Sequence, residues 1–152
     1  MSTIIYIGVN MAKEEKTAWV MLLVAIGGYV TYLVLLFNRE GTGSLTKTPY
    51  RDLLLWIILG SILANIVLTI LVSIIGYKDG HKKDLRDREI YGYSEYIGHA
   101  FIVMGGLAAL FMALYKVDYF WIANVLFLGF VLSGVLSSIA KIAMYRTGVP
   151  RW

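Results

Sequence analysis

Residues 53–75 read LLLWIILGSILANIVLTILVSII, twenty-three consecutive positions without a charge. Wound as an α-helix, the stretch spans about 35 Å, enough to cross a hydrocarbon core of about 30 Å. Three further runs repeat it: residues 17–37, 97–115 and 120–144, the last with one charge, Lys141, near its end. Between the third and fourth runs lies only Lys116-Val117-Asp118-Tyr119, a connection so short that these two helices must form an antiparallel hairpin. The expected fold is all-α: a four-helix transmembrane bundle forming a single membrane domain over residues 1–152.

Composition agrees. The chain is 59% apolar and 16% charged, where a soluble domain carries about 25% charged residues. It has no cysteine, which removes disulfides, thiolate metal sites and thiol nucleophiles. The net charge of +4 does not point to nucleic acid, because Lys and Arg flank the spans instead of covering a soluble face. The lipid bilayer is the expected partner. Met1 to Asn10 has no basic leader region, and no small-residue cleavage site precedes Lys13-Glu14-Glu15-Lys16, so a cleaved signal peptide is not expected. Met11 opens a segment that resembles a start of its own, which leaves Met1 and Met11 both open as the native first residue.

Positive charge is retained in the cytoplasm, so its distribution predicts orientation. Lys13, Lys16, Lys78, Lys82, Lys83, Arg86, Arg88, Lys141, Arg146 and Arg151 fall on one side; Arg39, Lys47, Arg51 and Lys116 fall on the other. Ten against four places both termini inside. Interfacial aromatics bracket the spans on both sides: Trp19, Tyr77, Tyr96, Tyr145 and Trp152 on the inner, Tyr50, Trp56, Tyr115, Tyr119 and Trp121 on the outer. The predicted location is the cell membrane, multi-pass, with residues 76–96 cytoplasmic.

In that cytoplasmic segment, Lys83-Asp84-Leu85-Arg86-Asp87-Arg88-Glu89 carries six charges of mixed sign in seven positions. Asp84 and Arg88 stand four apart, as in a solvated helical turn. Ile90, Tyr93 and Ile97 continue as an apolar stripe, so residues 82–115 are expected to form one helix emerging from the cytoplasm, with Gly92 or Gly98 as bend positions. Asp84, Arg86, Asp87, Arg88 and Glu89 form the candidate docking surface.

The run from Lys82 to Ile90, with Gly92, Glu95, Tyr96 and Gly98, resembles a segment of a family of small bacterial multi-span membrane proteins of unknown function. In that family an Asp-x-Arg-Asp-Arg-Glu-Ile-type stretch precedes a helical hairpin that ends in a Ser-rich helix and a Tyr-Arg tail. Ser137-Ser138-Ile139-Ala140-Lys141 and Tyr145-Arg146 fit that ending, whereas Leu85 stands where the family commonly has an acid. The resemblance implies a membrane protein and brings no catalytic residue with it.

Polar residues inside the spans are the remaining pointers to chemistry. Ser61, Asn65, Thr69 and Ser73 recur every four residues and line one face of the second span. That seam suits interhelical hydrogen bonding, or else the border of a substrate or proton path. No Asp or Glu lies at mid-membrane, which favours the former. Gly105, Ala109 and Ala113 on the third span and Gly129, Ser133 and Ser137 on the fourth have the spacing that lets backbones approach, within the hairpin or in a homodimer. Lys141 is near enough to the inner interface to snorkel, and its candidate ion-pair partner is Glu95. His81 and His99 are too differently placed for a bis-His haem, and Glu95 with His99 supplies only two metal ligands. No cofactor and no catalytic residue is predicted. A non-enzymatic accessory or structural subunit, packing against a larger membrane complex or itself, is the expected function. The alternative is a small dimeric transporter or immunity-type protein that uses the seam.

Overall fold

The computed structural model describes residues 13–40, 43–75 and 85–149. Expectations resting on Met1 to Met11, His81, Asp84 and the residues just before Leu85 lie outside the described residues. Four long helices account for nearly all of the described chain: α1 (Lys13–Glu40), α2 (Arg51–Ile75), α3 (Leu85–Leu114) and α4 (Tyr119–Thr147). Each is long and apolar enough to cross a bilayer. Each contains an uncharged run, and α1 extends past its run at both ends, with Glu14 and Glu15 in the first turn and Arg39 in the last. Those charges have the signs that the helix dipole favours at each terminus. The third helix continues without interruption through Gly92 and Gly98.

Local chemistry sets the turns. Arg39 donates from Nη1 to Pro49 O at 3.1 Å and to Asp52 Oδ2 at 2.8 Å, tying the end of α1 to the start of α2 across a single 3-10 turn, Leu45–Lys47. At the α3 end, Val117 N–H reaches Met112 O at 2.9 Å and Lys116 N–H reaches Ala113 O at 3.0 Å. This is a Schellman ending whose left-handed residue is Lys116, φ 55, where glycine is the usual occupant. Asp118 then caps α4 by accepting the Phe120 N–H at 2.8 Å. Two turns of opposite task, closing one helix and opening the next, fit into the short link foreseen from the sequence.

The main interfaces among the described residues join α2 to α1, α1 to α4 and α4 to α3. The helices therefore run in the order α2–α1–α4–α3, as a layer with α1 and α4 inside. The most extensive of these interfaces is the α3–α4 hairpin. One apolar cluster, Tyr32, Leu36, Leu53 and Phe120, locks α1, α2 and α4 together at the end where the α1–α2 and α3–α4 links lie. A second, Ala18, Leu22 and Ile142, joins α1 to α4 at the opposite end. α2 sits at the edge of the layer and contributes only Leu53 to the buried set.

Candidate functional site: a charged cleft where three helices converge

The end of the layer that holds Lys13 and Thr147 carries many of the charges that the spans exclude. There a cleft of about 250 Å³ opens between α1, α3 and α4, lined by Glu14, Asp87, Arg88, Tyr91, Lys141 and Tyr145. The α3–α4 packing brings the two sides together. Tyr145 donates its hydroxyl to Asp87 Oδ1 at 2.8 Å, and Arg86 donates from Nη2 to Tyr145 O at 3.3 Å. One turn further into the layer, the Lys141 ammonium lies 4.8 Å from the centre of the Tyr91 ring, a cation–π contact. Beside the cleft, Arg146 Nε meets Glu15 Oε1 at 3.1 Å, and its guanidinium lies 6.0 Å from the Trp19 ring centre. Glu15 is buried, so this pair is shielded from solvent on the carboxylate side.

The docking residues are thus partly committed within the molecule. Arg86 and Asp87 tie α3 to the end of α4, while Arg88 and Glu89 remain exposed. Lys141 lies over Tyr91, and Glu95 accepts the Ser137 hydroxyl at Oε1, 3.5 Å away. A direct Glu95–Lys141 contact is not among the ion pairs of the described residues, which join Arg39 to Asp52 and Arg146 to Glu15. The His99 ring nitrogen Nδ1 lies 2.9 Å from Glu95 O. Among the described residues no three His, Asp or Glu side chains converge as a metal set.

The polar seam lies on the α2 face turned to α1. Ser61, Asn65, Thr69 and Ser73 are half-buried while most of their neighbours are exposed, and Thr69 donates to Asn65 Oδ1 at 3.4 Å. Ser61 marks the crossing point: a Cβ placed on Gly28 would lie 2.5 Å from its Oγ. On the hairpin, the structure brings Gly105 against Gly129, with Ala109, Ser133 and Ser137 buried along the same seam. Gly98 joins them, its would-be Cβ 3.1 Å from Ser133 O and from Ser137 Cβ. Ala113 is exposed and Met112 is half-buried. On α3 the contact line follows the seven-residue step from Gly98 to Gly105, which leads on to Met112 with a drift of only about 20°, against about 80° for the eight residues to Ala113.

Two intramolecular links carry no strong sequence signal. Tyr32 donates its hydroxyl to Asn124 Oδ1 at 2.7 Å, and Asn124 donates from Nδ2 to Phe120 O at 2.8 Å. Glu15 and Arg146 lie at opposite ends of the chain, where a carboxylate beside three other charges resembles any solvated cluster. An isolated Asn within an apolar run is the one trace by which the first link could have been found.

The four apolar helices define a multi-pass helical membrane protein. No family model, curated protein or solved structure matches the chain.

Proposed function

We propose that the chain is a non-enzymatic protein of the cell membrane, an accessory or structural subunit that packs laterally against a larger membrane complex or against a second copy of itself. The observation carrying this reading is the position of α2. It is held mainly through one interface, with α1, and presents Leu59, Leu63, Ile66 and Ile70 outward, all more than half exposed. An edge helix with its outer wall uncommitted suits side-by-side association within the bilayer, where close packing supplies the attraction. The half-buried seam supports the same reading, because its Ser61 is used at the α1 crossing instead of lining an open path. The excess of Lys and Arg on one side supports an orientation with both termini in the cytoplasm. The resemblance of the Lys82–Ile90 stretch to small multi-span bacterial membrane proteins accords with it.

Purification from native membranes in mild detergent, followed by mass spectrometry, tests the proposal. A stoichiometric membrane partner or a homo-oligomer is expected, and cysteines at Leu63 and Ile66 should cross-link to it. A monomer without partners, uncross-linked in intact membranes, overturns the reading. Loss of a transport or resistance phenotype in Asn65→Leu, with oligomeric state intact, would instead favour the carrier. Accessibility tags at the two ends test the orientation, which fails if they report opposite faces.

A further inference from the structure

The cleft at the Lys13 and Thr147 end combines three properties. It is concave, at about 250 Å³ just below the range of about 300–1,000 Å³ typical of small-molecule pockets. It lies at the ends of the apolar spans, the depth at which lipid headgroups reside. Its lining presents opposite charges from different helices: Glu14 from α1, Asp87 and Arg88 from α3, and Lys141 from α4. Within it Asp87 accepts the Tyr145 hydroxyl and Lys141 rests on Tyr91. Glu14 and Arg88 make no hydrogen bond or ion pair with another described residue, which leaves one carboxylate and one guanidinium of opposite sign facing one concavity.

We infer that this cleft binds a zwitterionic phosphoryl-amine, a phosphate ester joined by a short linker to a primary ammonium, of the kind carried by an ethanolamine phospholipid. Arg88 receives the phosphate as a planar donor fork. Glu14 accepts hydrogen bonds from the primary ammonium. A quaternary ammonium has no N–H to donate, and an anionic headgroup without an amine leaves Glu14 opposing a negative charge. The cleft therefore discriminates by chemistry as well as by net charge. The same group exists on a lipid and as the free phosphoryl-amine, and the test separates these sources.

The intact protein is purified in mild detergent, stripped of lipid, and titrated in native mass spectrometry with phosphatidylethanolamine, phosphatidylcholine and phosphatidylglycerol of matched chains, and with soluble phosphoethanolamine. Phosphatidylethanolamine should be retained in preference to both other lipids. Glu14→Gln and Arg88→Gln should each reduce that preference about tenfold, the scale of one charge-assisted hydrogen bond. Glu89→Gln, on an exposed residue outside the cleft lining, should leave it unchanged. Competition by soluble phosphoethanolamine at similar concentration assigns the site to the free compound, and its failure assigns the site to the lipid. Equal retention of phosphatidylcholine overturns the inference, as does a preference for phosphatidylglycerol that survives Glu14→Gln. A preference for phosphatidylethanolamine unaffected by both cleft variants, each with an unchanged melting temperature, overturns it too.

Discussion

Gly105 and Gly129 face each other across the α3–α4 seam so closely that a Cβ on Gly105 would lie 3.0 Å from Gly129 Cα, and one on Gly129 would lie 3.1 Å from Gly105 Cα. The neighbour on each side is backbone, which cannot swing aside as a side-chain tip can. In a bilayer the hydrophobic effect does not drive helices together, so the dispersion gained at such a contact is a principal source of hairpin stability.

Gly105→Val should lower the stability of the protein in detergent by about 1–3 kcal/mol, the usual cost of forcing volume into a packed seam. Gly106→Val is the matched control, because nothing lies within 4 Å of the position its Cβ would take. Thermal unfolding followed by circular dichroism compares the two. Equal losses would mean that helix propensity, and not the close approach, dominates.

At the α1–α2 crossing the obstacle is a hydroxyl. Gly28→Ala should destabilise by about 1 kcal/mol as the new methyl group meets Ser61 Oγ. Combining it with Ser61→Ala should restore stability, since the Ser61 Cβ stands 3.7 Å away, an ordinary contact. Failure of the double variant to recover in the same unfolding assay would show that the crossing is set elsewhere.

Tyr32→Phe keeps the ring in its edge-on contact with Phe127 but removes the hydroxyl that Asn124 receives. A double-mutant cycle with Asn124→Ala should return a coupling of about 0.6 kcal/mol, and at most about 1.7, the range measured for hydrogen bonds between membrane helices. Zero coupling in the cycle would place the stabilisation in ring packing alone.

Two ion pairs should respond differently to loss of one partner. The carboxylate side chain of Glu15 is 9% exposed, whereas Arg39 and Asp52 are 41% and 57% exposed. Arg146→Gln strands a shielded charge and should cost about 1–2 kcal/mol. Arg39→Gln should fall near the limit of detection, because exposed pairs are solvated and screened. Melting temperatures at low and high salt provide the comparison, and a larger loss for Arg39→Gln would invert the ranking of the two sites.

The apolar runs at 17–37, 53–75, 97–115 and 120–144 were enough by themselves to locate four helices and to join the last two in a hairpin. Compatibility with lipid depends on composition along the chain, and the four-residue link leaves one geometry. Gly105, Gly129, Ser133 and Ser137 were legible as contact residues from their size and spacing, while the half-buried Met112 in place of the exposed Ala113 was not, because the contact line on α3 follows the seven-residue step from Gly98 to Gly105. Which helix lies beside which was decided only in three dimensions. Small residues on α1, α2 and α4 fit several neighbours equally well, and only the assembled layer sets Gly28 against Ser61 and Asn124 within reach of Tyr32. The cleft is the same kind of property. Glu14, Arg88 and Lys141 are far apart along the chain, and the packing of α1 and α3 on α4 makes them the walls of one cavity.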